Sequence, residues 1–226
     1  MTRNIYGFTN SGKKVKIGEY DDGLKAVGGR IFYIDPNSDE TVEFYDANGN
    51  VLSNVEVGST PVYYKITSAG TSGKDKFYVY RENTYSNKVW TYYQNNNWVY
   101  ENTGFTSQNV GSGKPNTAGI MALHNGAYVT NNANGYATIW YQINQCCLNK
   151  LGECSDWYIG SRTEIDTLRS FINNYISTLG LVDLFTGNHI WSSSDNDTLY
   201  AWSWSESYWN DSIKSYPCKV IPIRSF

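Results

Sequence analysis

The chain has 226 residues, 40% of them apolar and 16% aromatic, enough to bury a real core as one large domain or two small ones. Charged residues make up only 17% and the formal net charge is -3, so the basic footprint of a nucleic-acid or anionic-membrane binder is missing and polyanions are excluded as partners. No apolar run approaches the length of a membrane span, which argues against membrane insertion.

The opening stretch, MTRNIYGFTNSGKK, lacks the apolar centre of a signal peptide, so synthesis in the cytoplasm is expected while the place of action stays open. Residues 1–27 carry one short alternating run, Lys14–Ile17, and read as an N-terminal arm or docking segment, suited to self-association or to attachment to a larger assembly. From Arg30 the run Ile31-Phe32-Tyr33-Ile34 stops at Asp35-Pro36, the pattern of a buried first strand. Between about 40 and 105, short alternating aromatic runs are broken by Asn, Gly or Ser, which predicts a β-hairpin-rich insertion. Its expected pairs are Val42–Tyr45 with Val51-Leu52, Pro61–Ile66 with Lys76–Tyr80, and Val89–Tyr93 with Trp98–Tyr100.

After Gly111–Pro115 the apolar period lengthens from two to about 3.6, the mark of helices. Asn116-Thr117 can cap a short helix through Ile120, Met121 and Leu123, and a second places Ile139, Trp140, Ile143 and Cys147 on one face. Ser161-Arg162-Thr163-Glu164 is a capping box that opens a third helix, with Ile165, Leu168, Ile172, Ile176 and Leu179 along one stripe and Gly180 as its stop. From His189 the chain is β again and closes on Val220–Phe226, where Pro222 suggests an edge position or a bulge. Strands, then helices, then strands define an α+β protein. The four cysteines, Cys146, Cys147, Cys154 and Cys218, fit no zinc-finger spacing. Buried free thiols are expected, with a Cys154–Cys218 disulfide or an adventitious metal site as alternatives.

Several blocks in order, Gly28–Tyr33, Gly113–Thr117, Ser155–Ile159, Ile190–Ser194, Ala201-Trp202 and Val220–Phe226, resemble the C-type-lectin-like domains of phage tail proteins and bacterial adhesins. These include the variable proteins of diversity-generating retroelements. The resemblance implies a recognition domain over 28–226, with a mixed twisted sheet, two main helices and paired N- and C-terminal strands. Residues 40–105 lie outside it, and Gly160-Ser161 stands where Pro-Ser is usual. It further implies a non-enzymatic protein, without cofactor, that presents a variable C-terminal surface to a host cell-surface receptor, protein or glycan, from a virion. A bacterial surface adhesin is the alternative setting.

Ala201–Ser207 reads as a strand with Trp202 and Trp204 on one face and Ser203, Ser205 and Ser207 on the other, one face packed and one free. Composition alone favours an ordinary polar surface here; the resemblance makes it the candidate ligand-binding patch. The candidate residues are Asp195, Asn196, Asp197, Tyr200, Ser203, Ser205, Ser207, Tyr208, Trp209, Asn210, Asp211, Ser212 and Tyr216, in which Tyr and Trp supply rigid area and Ser, Asn and Asp supply hydrogen bonds. Trp209-Asn210-Asp211 also resembles the calcium-binding triplet of carbohydrate-binding C-type lectins, without the companion Glu-Pro-Asn, so a calcium-dependent carbohydrate-binding lectin is an alternative and no residue is assigned to a metal. The fold resemblance extends to formylglycine-generating enzymes, which need a reactive cysteine pair in a cleft. Cys146 and Cys147 on a predicted helix match that poorly, and His124 and His189 sit in no triad or HExxH pattern.

Overall fold

The computed structural model describes residues 2–8, 14–21, 23–130 and 134–226, with backbone pairing alone for the first two segments. The chain begins with β1 (Thr2–Phe8) and β2 (Lys14–Asp21), an antiparallel pair over the segment expected to be an arm. There follow β3 (Lys25–Ala26), β4 (Arg30–Ile34), β5 (Thr41–Tyr45), β6 (Val51–Leu52), β7 (Tyr63–Ser68), β8 (Phe77–Tyr80) and β9 (Tyr85–Val89). The short pair β10 (Tyr93–Gln94) and β11 (Asn97–Trp98) precedes helix α1 (Gly113–Ala122), β12 (Ala137–Thr138) and α2 (Ile139–Leu148). The last part holds β13 (Tyr158–Ile159), α3 (Arg162–Leu179), β14 (His189–Asp195), β15 (Tyr200–Ser205), β16 (Tyr208–Ile213), β17 (Cys218–Val220) and β18 (Pro222–Ser225). The fold is α+β, with three larger sheets in the orders β12-β9-β17-β14-β15-β16, β13-β18-β8-β4 and β3-β7-β5-β6.

The expected pairing of the first and last strands is corrected. β8 stands between β4 and β18, taking Ile223, Arg224 and Ser225 on one side and Arg30 to Ile34 on the other. Within residues 40–105, β8 and β9 enter the two main sheets while β5 to β7 build the small one. The anticipated Pro61–Ile66 and Lys76–Tyr80 pair does not form: β7 pairs with β5 and β3. The reason is burial. All four residues of β8 are buried, whereas β7 is exposed from Lys65 onward. The 42–52 hairpin forms as predicted, and Asn95 and Asn96 turn β10 into β11 with positive φ of 50° and 59°, which asparagine tolerates best after glycine.

Pro222 opens β18, which is an interior strand rather than an edge. Just before it, β17 runs parallel to β14 in the six-stranded sheet, so the chain changes sheets at Ile221-Pro222. A residue without an amide N–H is tolerated at such a strand start.

All three predicted helices form. Helix α3 matches residue for residue: Ser161 accepts from Glu164 N, Glu164 accepts from Ser161 N, and Gly180 is left-handed with φ 61°. Helix α1 starts three residues before its expected cap, because Asn116 and Thr117 are buried and bond instead to Ser107 and Ile159. Helix α2 buries Cys146 rather than Cys147. Helix α3 and the β13-β18-β8-β4 sheet enclose one core with Phe32, Tyr80, Leu168, Ile172 and Ile223. Trp90, Trp140, Ile143 and Trp191 centre the second, between α1, α2 and the six-stranded sheet. Gly160 sits where these meet: a Cβ there would come within 2.7 Å of Ile223 Cδ1 and 3.0 Å of Ile165 Cδ1, side-chain ends that would have to give way. All four cysteines are free thiols. Cys154 and Cys218 lie in different core clusters.

Candidate functional site

Strands β15 and β16 form a hairpin at the edge of the six-stranded sheet, in the register Trp202↔Asp211, Ser203↔Asn210, Trp204↔Trp209 and Ser205↔Tyr208. Residues directly opposite share a face. Tyr200, Trp202, Trp204, Trp209, Asp211 and Ile213 therefore make one face, and Ala201, Ser203, Ser205, Tyr208, Asn210 and Ser212 the other.

The alternation is as predicted, but neither face is simply free: Trp204 is buried against the α3 core, and the serine face is closed as well. Ser203, Ser205 and Ser212 are buried, with Ser203 and Ser212 hydrogen-bonded to each other at 2.7 Å. Ser192, Ser193 and Ser194 of β14 are buried as well. Small side chains let this face close onto the Trp90–Trp191 core. Asp195 is also withdrawn, fully buried and within 2.7 Å of Lys214 Nζ. These four candidates cannot touch an outside partner without unfolding the hairpin.

The other candidates reach solvent. Asp197, Ser207, Tyr208, Asp211 and Tyr216 are exposed, while Asn196, Tyr200, Trp209 and Asn210 are half-buried. Tyr208 is 61% and Tyr216 50% exposed, unusual for side chains this large, and Leu199 and Ile213 stand exposed beside them.

The tryptophan face is completed by two arginines that the sequence did not single out. Arg162 lies 4.1 Å from the Trp202 ring centre and 5.4 Å from Trp209, and Arg169 lies 4.4 Å from Trp204. Trp204 and Trp209 meet edge to face at 5.8 Å. Seven residues separate the arginines on α3, two helical turns, so they project on one side. That spacing was the available signal. Guanidinium groups held over indole rings fix the tryptophans and leave N–H donors near an aromatic surface. The indole N–H groups of Trp202 and Trp204 are buried without a hydrogen-bond partner.

Asn210 and Asp211 point from opposite faces of β16, so their side chains do not converge as cation ligands. Among the described residues no group of three or more His, Cys, Asp or Glu is gathered as a metal site. Burial pushes the Cys147 thiol up to about 11 and raises Cys146, whose sulfur faces the Tyr85 hydroxyl at 3.5 Å. His124 contacts the Glu101 carboxylate at 2.8 Å beside Tyr128, and His189 packs near Tyr216.

The sequence matches no family model and no curated protein. Among solved structures, a fimbrial protein from Bacteroides ovatus is similar at 12% identity with a TM-score of 0.47, over 81% of this chain and 48% of that one. This chain spans about half the length of that protein. Among the described residues no helix is long and apolar enough to cross a membrane.

Proposed function

We propose that this chain is a non-enzymatic recognition protein of the adhesin type, which meets a protein or glycan on a cell surface with the outer side of its β15–β16 hairpin. The observation that carries this reading is the exposure of Tyr208, Tyr216, Leu199 and Ile213 on and beside a hairpin whose tryptophan face is anchored by Arg162 and Arg169. Rigid aromatics with arginine donors and a polar rim are the ingredients of binding hot spots, and their display on a monomer is otherwise costly in solubility. Thiols held protonated by burial, on a helix rather than in a cleft, favour binding over the cysteine-oxidase alternative.

The narrower form of the reading is a C-type-lectin-like variable protein of a phage tail or diversity-generating retroelement, acting from a virion on a host receptor. It rests on the sequence blocks that resemble that family and on the exposure of Asp197, Ser207, Tyr208, Asp211 and Tyr216 within the stretch where the family varies. Binding of labelled protein to bacterial cells and glycan arrays tests the site. Exchanging those five side chains for another polar set should leave the melting temperature unchanged and abolish binding; retained binding sinks the proposal. A near-copy of the DNA for residues 190–226, differing at adenines and lying beside a reverse-transcriptase gene, separates the virion or retroelement form from an adhesin of fixed specificity.

A further inference from the structure

Asp195 and Lys214 bracket the hairpin just described and are both completely buried. Lys214 Nζ lies 2.7 Å from Asp195 Oδ1, yet that oxygen accepts no hydrogen bond of proper geometry. The other carboxylate oxygen is well served: Asp195 Oδ2 accepts from Thr103 N and from Thr103 Oγ1, both at 2.7 Å. Lys214 Nζ donates to the backbone carbonyls of Asp197 and Glu101 and stands 4.6 Å from the Trp90 ring centre. An amine held against a fully buried carboxyl group beside Trp90, with one oxygen polarised by two donors and the other facing the amine, has the parts of an acyl-transfer site.

We propose that Lys214 and Asp195 condense into an intramolecular isopeptide bond. Complete burial strips both groups of hydration, which disfavours the charged ammonium–carboxylate state. Transfer of one proton from Nζ to Oδ1 gives a neutral amine and a carboxylic acid. The amine attacks Cγ, and charge developing on Oδ2 is taken up by the two Thr103 donors. The Cγ–Oδ1 bond then breaks as a second Nζ proton passes to the departing hydroxyl. One Cγ–Nζ bond is made, one water leaves, the net charge is unchanged, and no oxidant or co-reactant is needed. Burial lowers the affinity of Lys214 for its proton, against the opposing pull of Asp195, Asp197 and Glu101, which assists the first transfer. The bond would close β15 and β16 into a covalent ring and hold the exposed hairpin against pulling. It does not depend on the binding role proposed for that hairpin.

Intact mass spectrometry of the full chain, denatured after folding, tests the proposal. The expected mass is one water below that of the sequence, restored to the full value in Lys214→Arg. Trypsin should fail to cut after Lys214, and chymotryptic cleavage among the tyrosines and tryptophans between the two residues should leave their peptides joined. Asp195→Asn would reach the same final mass by losing ammonia, which keeps the test informative if Lys214→Arg folds poorly. A full-mass wild-type chain overturns the proposal, as does a water loss that hydroxylamine cleaves at Asp195 or Asp197, the signature of a succinimide.

Discussion

The guanidinium of Arg162 lies 4.1 Å from the centre of the Trp202 ring, joining the first turn of α3 to the edge hairpin of the six-stranded sheet. The same group donates to Gln108 Oε1 at 3.0 Å, so it is held from two sides. Arg162→Ala should cost about 1 kcal/mol of stability, the size of a partly desolvated cation–π contact. It should also loosen Trp202 enough to change the near-ultraviolet circular dichroism. Urea unfolding checks the first expectation; an unchanged aromatic spectrum would show that the ring needs no such support.

Ser203 is fully buried and shares a hydrogen bond with Ser212. Ser203→Tyr should therefore destabilise the protein by about 3 kcal/mol through overpacking, whereas the same exchange at Ser207, which is exposed, should change stability by less than about 0.5 kcal/mol. Thermal melting of the two variants checks the assignment of faces. Equal melting temperatures would mean that both serines face solvent.

These faces mark the limit of what was legible in the sequence. Alternation in Ala201–Ser207 established that tryptophans and serines part company, since the period of a strand is fixed by its backbone. Which side packs depends on neighbours distant in sequence: β14 brings Ser192–Ser194 and β9 leads into Trp90. Polarity alone pointed the serines outward. Helix α3 was legible throughout because its capping box and glycine stop are local. The place of β8 between β4 and β18 was not, because sheet order is set by long-range burial and short aromatic runs look alike. In the candidate stretch, Tyr208 and Tyr216 were singled out through the family resemblance and are exposed, while Arg162 and Arg169 were passed over because they lie on a helix read only for its apolar stripe.

Arg224 holds the C-terminal strand to the middle of the chain. It donates through Nε and Nη2 to the two oxygens of Asp156, at 2.7 and 2.8 Å, and through Nη1 to the carbonyls of Ala26 and Val27 at 2.8 Å each. A lysine has a single nitrogen and cannot serve these four acceptors from one place. Arg224 is buried but Asp156 is exposed, so Arg224→Lys is expected to lose about 2 kcal/mol, the range for hydrogen bonds to a charged group. Chemical unfolding measures it, and a loss below about 1 kcal/mol would mean that the forked geometry contributes little.

Glu164 places a titrating carboxyl inside the molecule. Burial pushes its pKa from the ordinary 4.5 up to about 7, against the opposing hydrogen bonds from Ser161 and Gly111. Because the folded pKa is the higher one, the native chain keeps a proton that the unfolded chain has already released. The associated stability is complete below about pH 4.5, declines as pH rises, and is gone above about pH 7, a fall of about 3 kcal/mol at 1.36 kcal/mol per unit. Other groups titrate in that window, so the test is a difference between wild type and Glu164→Gln. Unfolding free energies at several pH values should show the wild-type curve falling relative to the variant between those limits. Parallel curves would place the folded pKa of Glu164 at its ordinary value, with the capping hydrogen bonds fully offsetting its burial.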